Sequence, residues 1–168
     1  PSNLEISVID IADWSTVVKN LEGHIKKNWF YDALKFNANF IHGDALEHPL
    51  ALPEYDLITL LFTTNELFAA KRTQSIQLLQ NFNRNCKKGA LLLIAESAGS
   101  YSHITIGSKK FPIQFLVDTI LVGKPGQTGS WEIVKESECC WYRMDTRQLN
   151  YPLKLEKMRF FYRLYRKL

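Results

Sequence analysis

The chain has 168 residues, 46% of them hydrophobic and 23% charged, with a formal net charge of +4. That is the size and apolar content of one globular domain, and it excludes a disordered or low-complexity protein. The longest apolar runs, residues 57–62 and 91–95, are too short to span a bilayer, and no basic, apolar and small-residue leader precedes the first strand, so an intracellular protein with no membrane partner is expected.

In chain order, residues 4–9 are rich in Ile and Val and run into Asp10, the pattern of a buried strand closed by an acidic residue. A helix follows, with Ser15 as its N-cap and Val17, Val18, Leu21, His24 and Ile25 at helical spacing. Residues 36–42 predict a second short strand, closed by Gly43-Asp44. Residues 55–62 form a continuous apolar strand, as expected where helices cover both faces of a parallel sheet, and it runs straight into Thr63-Thr64-Asn65-Glu66-Leu67. Ile76, Leu78, Leu79, Phe82 and Cys86 place an amphipathic helix over 71–86, stopped by Lys87-Lys88-Gly89. Residues 91–95 predict another buried strand, ending in Glu96-Ser97. Beyond Gly99 the pattern predicts a helix over 110–121 despite Pro112, a loop over 123–129, and two final strands over 131–142 and 158–165.

Strands alternating with helices imply βαβ units with right-handed crossovers, hence an α/β, Rossmann-like, mostly parallel sheet. The two late strands, joined by a connection containing Asn150-Tyr151-Pro152, add an antiparallel carboxyl-terminal edge. Ligands of such sheets bind beyond the carboxyl ends of the strands. Those ends carry Asp10, Asp44, the 63–67 turn and Glu96. A carboxylate closing the second strand can accept hydrogen bonds from a ribose diol, and one after the next strand can hold an adenine amino group. The competing readings make Asp10 a helix-flanking or turn carboxylate, Asp44 plain turn chemistry and Glu96 a capping or surface acid. Asn65 and Glu66 differ, because two polar residues directly after a fully apolar strand have few structural reasons to be there. No G-x-G string occurs, although a cofactor site of this architecture uses a glycine-rich turn after its first strand. The strand ending at Asp10 has the position of a second strand. The first strand and glycine loop, missing from this chain, are therefore expected upstream of Pro1 in the same gene product, and residues 1–168 form the carboxyl-terminal portion of a single domain.

Cysteine and histidine add no chemistry. Cys86, Cys139 and Cys140 form no C-x-x-C pair, and His24, His42, His48 and His103 are scattered, so no metal site is expected. The charge is uneven: between Arg143 and Leu168 stand eight Lys or Arg against Asp145 and Glu156, interleaved with aromatic residues. That is the pattern of a polyanion-binding surface, and equally of a solvated strand face backed by an aromatic inner one.

Several strings carry a resemblance: Val8-Ile9-Asp10-Ile11-Ala12-Asp13-Trp14, His42-Gly43-Asp44-Ala45, Phe62-Thr63-Thr64-Asn65-Glu66-Leu67, Glu96-Ser97-Ala98-Gly99-Ser100-Tyr101, Lys109-Lys110-Phe111-Pro112 and the ending from Tyr151 to Arg163. With them the chain resembles class I S-adenosylmethionine-dependent methyltransferases, and more narrowly the carboxyl-terminal part of the fungal 25S ribosomal RNA uridine-N3 methyltransferase family. The resemblance implies S-adenosylmethionine as cofactor, with Asp10 on its ribose hydroxyls, Ile11 beside the adenine, Asp44 and Ala45 flanking it, and Thr63, Thr64, Asn65, Glu66 and Leu67 facing the reactive methyl and the target base. It further implies ribosomal RNA or a pre-ribosomal particle as partner and a nuclear, nucleolar or cytoplasmic location. The N3 of uridine is protonated at neutral pH, so Glu66, or else Glu96, is expected to accept that proton while Asn65 orients the uracil. Tyr101 or Trp141 would stack on the extracted base. Lys109, Lys110, Arg159 and Arg163 would hold phosphates. Another RNA base, a protein side chain, or a non-catalytic role in ribosome assembly are the alternatives.

Overall fold

The computed structural model describes residues 3–28, 32–99, 103–106, 108–143 and 156–168. The chain forms two compact units, Pro1–Leu50 and Ala51–Leu168. Among the described residues no helix is long and apolar enough to cross a membrane.

The first unit is a single βαβ element. Strand β1 (Leu4–Asp10) pairs in parallel with β2 (Phe36–His42), in a register that runs from Leu4↔Phe36 to Asp10↔His42. Helix α1 (Ser15–Asn28) connects them and packs on β2, where Glu22 Oε1 accepts the Ala38 N–H at 3.2 Å. The helix starts differently from expectation. Ser15 is its first residue, and the carboxylate of Asp13 accepts the Ser15 N–H at 2.9 Å, because a carboxylate two residues upstream reaches a free first-turn amide as well as a serine cap does. The Ser15 hydrogen bonds hold the Asp13 carboxyl below its usual range. β1 was expected to be buried, yet Leu4, Ile6 and Val8 are exposed. They alternate along the strand and so share a face. With α1 on β2 and one strand neighbour among the described residues, that face stays open.

The second unit holds a four-stranded sheet, ordered β3-β4-β8-β7. Strands β3 (Leu57–Leu61) and β4 (Leu91–Ser97) are parallel. Strand β8 (Met158–Lys167) runs antiparallel to β4 and inserts between it and β7 (Trp131–Tyr142), to which it is also antiparallel. The antiparallel edge is therefore a pair of strands, with the reversed one inside it. β4 is buried as the apolar run predicts, whereas Leu57 and Leu61 of β3 are half exposed, because β3 borders the sheet and has only β4 beside it among the described residues.

Helices α2 (Thr64–Ala70) and α3 (Arg72–Asn85) follow β3, and α3 buries Leu78, Leu79 and Phe82 at helical spacing. Lys87, just past α3, pairs with Asp56 at 2.6 Å, and Gly89 turns the chain into β4 with φ +84. A short antiparallel ribbon, β5 (His103–Ile106) with β6 (Lys109–Pro112), precedes α4 (Ile113–Leu121). The helix expected from residue 110 begins only after Pro112, since the residue before a proline is driven extended and proline itself is tolerated at a helix entrance. Val117 and Leu121 of α4 and Trp131, Phe161 and Tyr165 of the last two strands are all almost completely buried.

The 123–129 loop returns the chain from α4 to β7, and the Ser130 N–H closes it on Leu121 O at 3.0 Å. A Cβ on Gly129 would lie 2.3 Å from the carbonyl carbon and oxygen of Val122, so backbone would have to move. Gly129→Ala should lower unfolding free energy by about 2 kcal/mol in chemical denaturation, the range for enforced backbone strain; a stability equal to wild type would show the loop to be adaptable. Of the cysteines, Cys86 is buried and its thiol is pushed up to about 11 by burial, against the pull of Lys167. Cys139 and Cys140 are free as well, and no group of His, Cys, Asp or Glu among the described residues could hold a metal.

Candidate functional site

The carboxyl ends of β3 and β4 are joined by one buried carboxylate. Glu96 is 2% exposed; its Oε2 accepts the Asn65 N–H at 3.0 Å and its Oε1 the Ser97 N–H at 2.8 Å. A carboxylate that takes two backbone amides is fixed in place, and here it fixes the first turn of α2 against β4. Thr64 lies beside Asn65 in that turn, buried, with its Oγ1 unpartnered among the described residues. Thr63 and Glu66 are exposed, Thr63 as the residue that caps α2.

Just before them the backbone departs from its ordinary range. Phe62 has φ 58, the left-handed region, and it is the sole non-glycine residue with positive φ among those described. An aromatic residue pays steric strain there, and such strain collects where a chain must aim particular side chains. Phe62 is held by its N–H to Ala95 O at 2.8 Å and by an edge-to-face contact with Phe160 of β8, ring centroids 6.2 Å apart. This kink turns β3 directly into the Thr63-Thr64-Asn65-Glu66 turn. Sequence reasoning missed it, since nothing in Phe-Thr-Thr signals a left-handed residue.

In the first unit, Asp10 and Asp44 stand at the same end of the β1–β2 pair, where the Gly43 N–H donates to Asp10 O at 2.9 Å. The Asp10 carboxylate is exposed and accepts the Ala12 N–H through Oδ1 at 2.7 Å. Ile11, next to it, is 73% exposed, and its carbonyl meets the His42 ring at 3.0 Å. Asp44 opens a turn, with Oδ1 accepting the Leu46 N–H at 2.9 Å, and Ala45 is half-buried within that turn. Turn chemistry therefore holds part of both carboxylates and sets their direction.

The expected phosphate contacts divide. Arg159 is exposed, anchored by Nε to Ala98 O at 2.8 Å, and its guanidinium lies 6.0 Å from the Trp141 ring centroid; Arg143 lies 5.8 Å from the same ring. Lys109 and Lys110 are exposed on β6. Tyr101 lies outside the described residues. Arg163, expected among these, is 3% exposed and is enclosed by Asp118, Glu136 and Glu138. Carboxylates take its Nε and Nη2 and the Tyr162 carbonyl takes its Nη1, so this buried guanidinium has no open face for a phosphate. Burial would lower the Arg163 pKa, but the hydrogen bond it donates to Glu138 and the surrounding negative charge raise it overall. The same balance holds Glu138 low: burial would raise it, and hydrogen bonds from Arg163 and Gln114 win. Two bulges in β7, between Ile133 and Lys135 and between Ser137 and Cys140, set the register in which Glu136 and Glu138 converge on Arg163.

A sheet of three co-directional strands with a reversed strand second from its edge, joined by helices, is the arrangement of the class I methyltransferase fold. Solved structures agree on that fold. A SAM-dependent methyltransferase from Methanosarcina mazei matches at TM-score 0.57 and 16% identity, over 98% of this chain and 82% of that one. The N-methyltransferase NodS from Bradyrhizobium japonicum, in complex with S-adenosyl-L-homocysteine, matches at TM-score 0.56 and 14% identity, over 97% and 66%. In sequence, the chain belongs to a SAM-dependent methyltransferase family, Methyltransf_34, whose profile matches residues 1–166. It is 57% identical to the 25S rRNA (uridine(2843)-N(3))-methyltransferase of Saccharomyces cerevisiae over 98% of its own length and 48% of the yeast protein, so it spans about half of that relative.

Proposed function

We propose that this chain is part of an enzyme that methylates N3 of a uridine in large-subunit ribosomal RNA with S-adenosylmethionine as donor. The observation that carries the substrate assignment is the 57% identity to the yeast uridine-N3 enzyme. The strand-end geometry supports the chemistry. The donor supplies a methyl group on a sulfonium, and the residues present suit its nucleoside: an exposed carboxylate at Asp10 for the ribose hydroxyls, an exposed apolar side chain at Ile11 for a face of the adenine, and the Asp44-Ala45 turn for its edge. Thr63 and Thr64 would complete the donor's surroundings.

Methyl transfer needs an N3 lone pair, which appears only when the imide proton leaves. Glu66, exposed in the first turn of α2, is the proton acceptor in this reading, and Asn65 holds the uracil edge. Glu96 becomes a positioning residue, because both of its oxygens already accept backbone amides. The half-exposed leucines of β3 and the exposed apolar face of β1 are strand surfaces of the kind that further chain covers, which supports a role for upstream residues of the same protein.

The test is nucleoside mass spectrometry on large-subunit RNA from cells lacking the gene. N3-methyluridine should fall and return when the full-length protein is restored; an unchanged level overturns the assignment.

A further inference from the structure

Beside the end of β4 lies an open cavity of about 430 Å³, lined among others by Ala98, His103, Gln114, Glu138, Arg159 and Phe161. That volume falls within the range of small-ligand sites, roughly 300–1,000 Å³. Its one acidic lining residue, Glu138, is already engaged by Arg163 and by Gln114 Nε2 at 3.0 Å, so the acid is neutralised from behind the wall. At the mouth, Arg159 reaches from the cavity lining to Trp141, its cross-strand neighbour on β7. Trp141 is 56% exposed, and Arg143 approaches it as well. An exposed indole with two guanidinium groups around it presents flat surfaces and positive charge together.

We infer that Trp141, Arg143 and Arg159 form a stacking platform for single-stranded RNA, with one base stacked at the indole, the adjoining base in the cavity beside Phe161, and the intervening phosphate on Arg159. The choice of RNA rests on the function proposed above. The selection of a single strand rests on the geometry itself: bases of a duplex keep their faces against one another, whereas an unpaired base offers its face to an aromatic ring and a guanidinium plane. A polyanion without rings would use the arginines and ignore the indole.

Fluorescence anisotropy with the full-length protein tests this, using a single-stranded oligoribonucleotide, the same strand in a duplex, and heparin. Trp141→Ala should weaken single-strand binding about tenfold, a typical stacking loss for one base, and leave heparin binding unchanged. Trp141→Phe should recover most of the loss. Arg143→Ala and Arg159→Ala should each flatten the salt dependence of single-strand binding by about 0.7 in log-log slope, the value for one phosphate contact, while Trp141→Ala leaves the slope alone. Unchanged single-strand affinity in Trp141→Ala, or an equal loss for strand, duplex and heparin, overturns the platform. Matched melting temperatures among the variants would show them to be folded. N3-methyluridine formation in the same cells is read separately: its absence with the stacking signature intact removes the uridine assignment and leaves the platform standing, and its presence with no stacking signature does the reverse.

Discussion

Replacing Glu66 by Gln in the full-length protein should lower turnover on ribosomal RNA by about a hundredfold or more, the usual contribution of a positioned general base, while affinity for the donor stays near wild type. Gln keeps the length and the acceptor oxygen of Glu66 and removes only its ability to take a proton. The residue is exposed, so the change costs no buried contact, and lost activity cannot be traced to lost folding. The variant should also gain activity as pH rises, because alkaline solution ionises the uracil imide without help from the protein. Single-turnover methylation across a pH series, with calorimetry of donor binding alongside, reads both effects. Equal turnover in the two proteins would remove Glu66 from the role and return attention to Asn65.

The placing of Glu66 and Glu96 shows what a sequence can and cannot convey about such a site. Glu66 follows β3 in the first turn of α2 and Glu96 stands at the end of β4, and the alternation of strands and helices is enough to put them there. Which of them is buried depends on how the first turn of α2 meets β4, a contact between residues 31 apart in the chain. Phe62 is equally silent in sequence, because its left-handed φ follows from the geometry of the bend and from the Phe160 ring across the sheet. Arg163 shows the converse failure. In a run of alternating Arg and aromatic residues every cation looks available to a phosphate, yet period-two alternation turns Phe161, Arg163 and Tyr165 to one buried face, where Asp118 of α4 meets both Arg163 and Tyr165, while Arg159 at the strand's start stays exposed. Asp118 on α4 and two glutamates on β7 were the available signal, since three carboxylates near an inward-facing arginine ask for such a network. The strands and helices themselves were legible, as hydrophobic period and glycine punctuation specify them locally. The exposure of β1 and β3 was not, because burial depends on which neighbours an apolar strand actually has.

Arg163→Met should reduce unfolding free energy by about 3 kcal/mol, near the lower limit for removing one partner from a buried ion pair. Methionine retains much of the apolar stem packing, so the loss reports the guanidinium. Three carboxylates would then face one another at the junction of α4, β7 and β8, with Tyr165 Oη, 2.7 Å from Asp118 Oδ1, and Gln114 Nε2, 3.0 Å from Glu138 Oε2, still donating to them. The lower limit applies because Glu136 and Glu138 are 51% and 64% exposed and can turn to water, which screens their repulsion. The pH dependence gives a second readout. Glu138 is held below its ordinary value of 4.5, so its contribution to stability is complete above that pH and is lost as pH falls through the lower folded-state value. Wild type should therefore lose stability as it is acidified below about 4.5, and Arg163→Met, lacking the guanidinium that lowers Glu138, should follow a flatter curve there. Urea unfolding between neutral and acidic pH measures both proteins directly. Parallel curves would mean that Arg163 contributes packing alone, and that the glutamates converge on it without holding the sheet edge to α4.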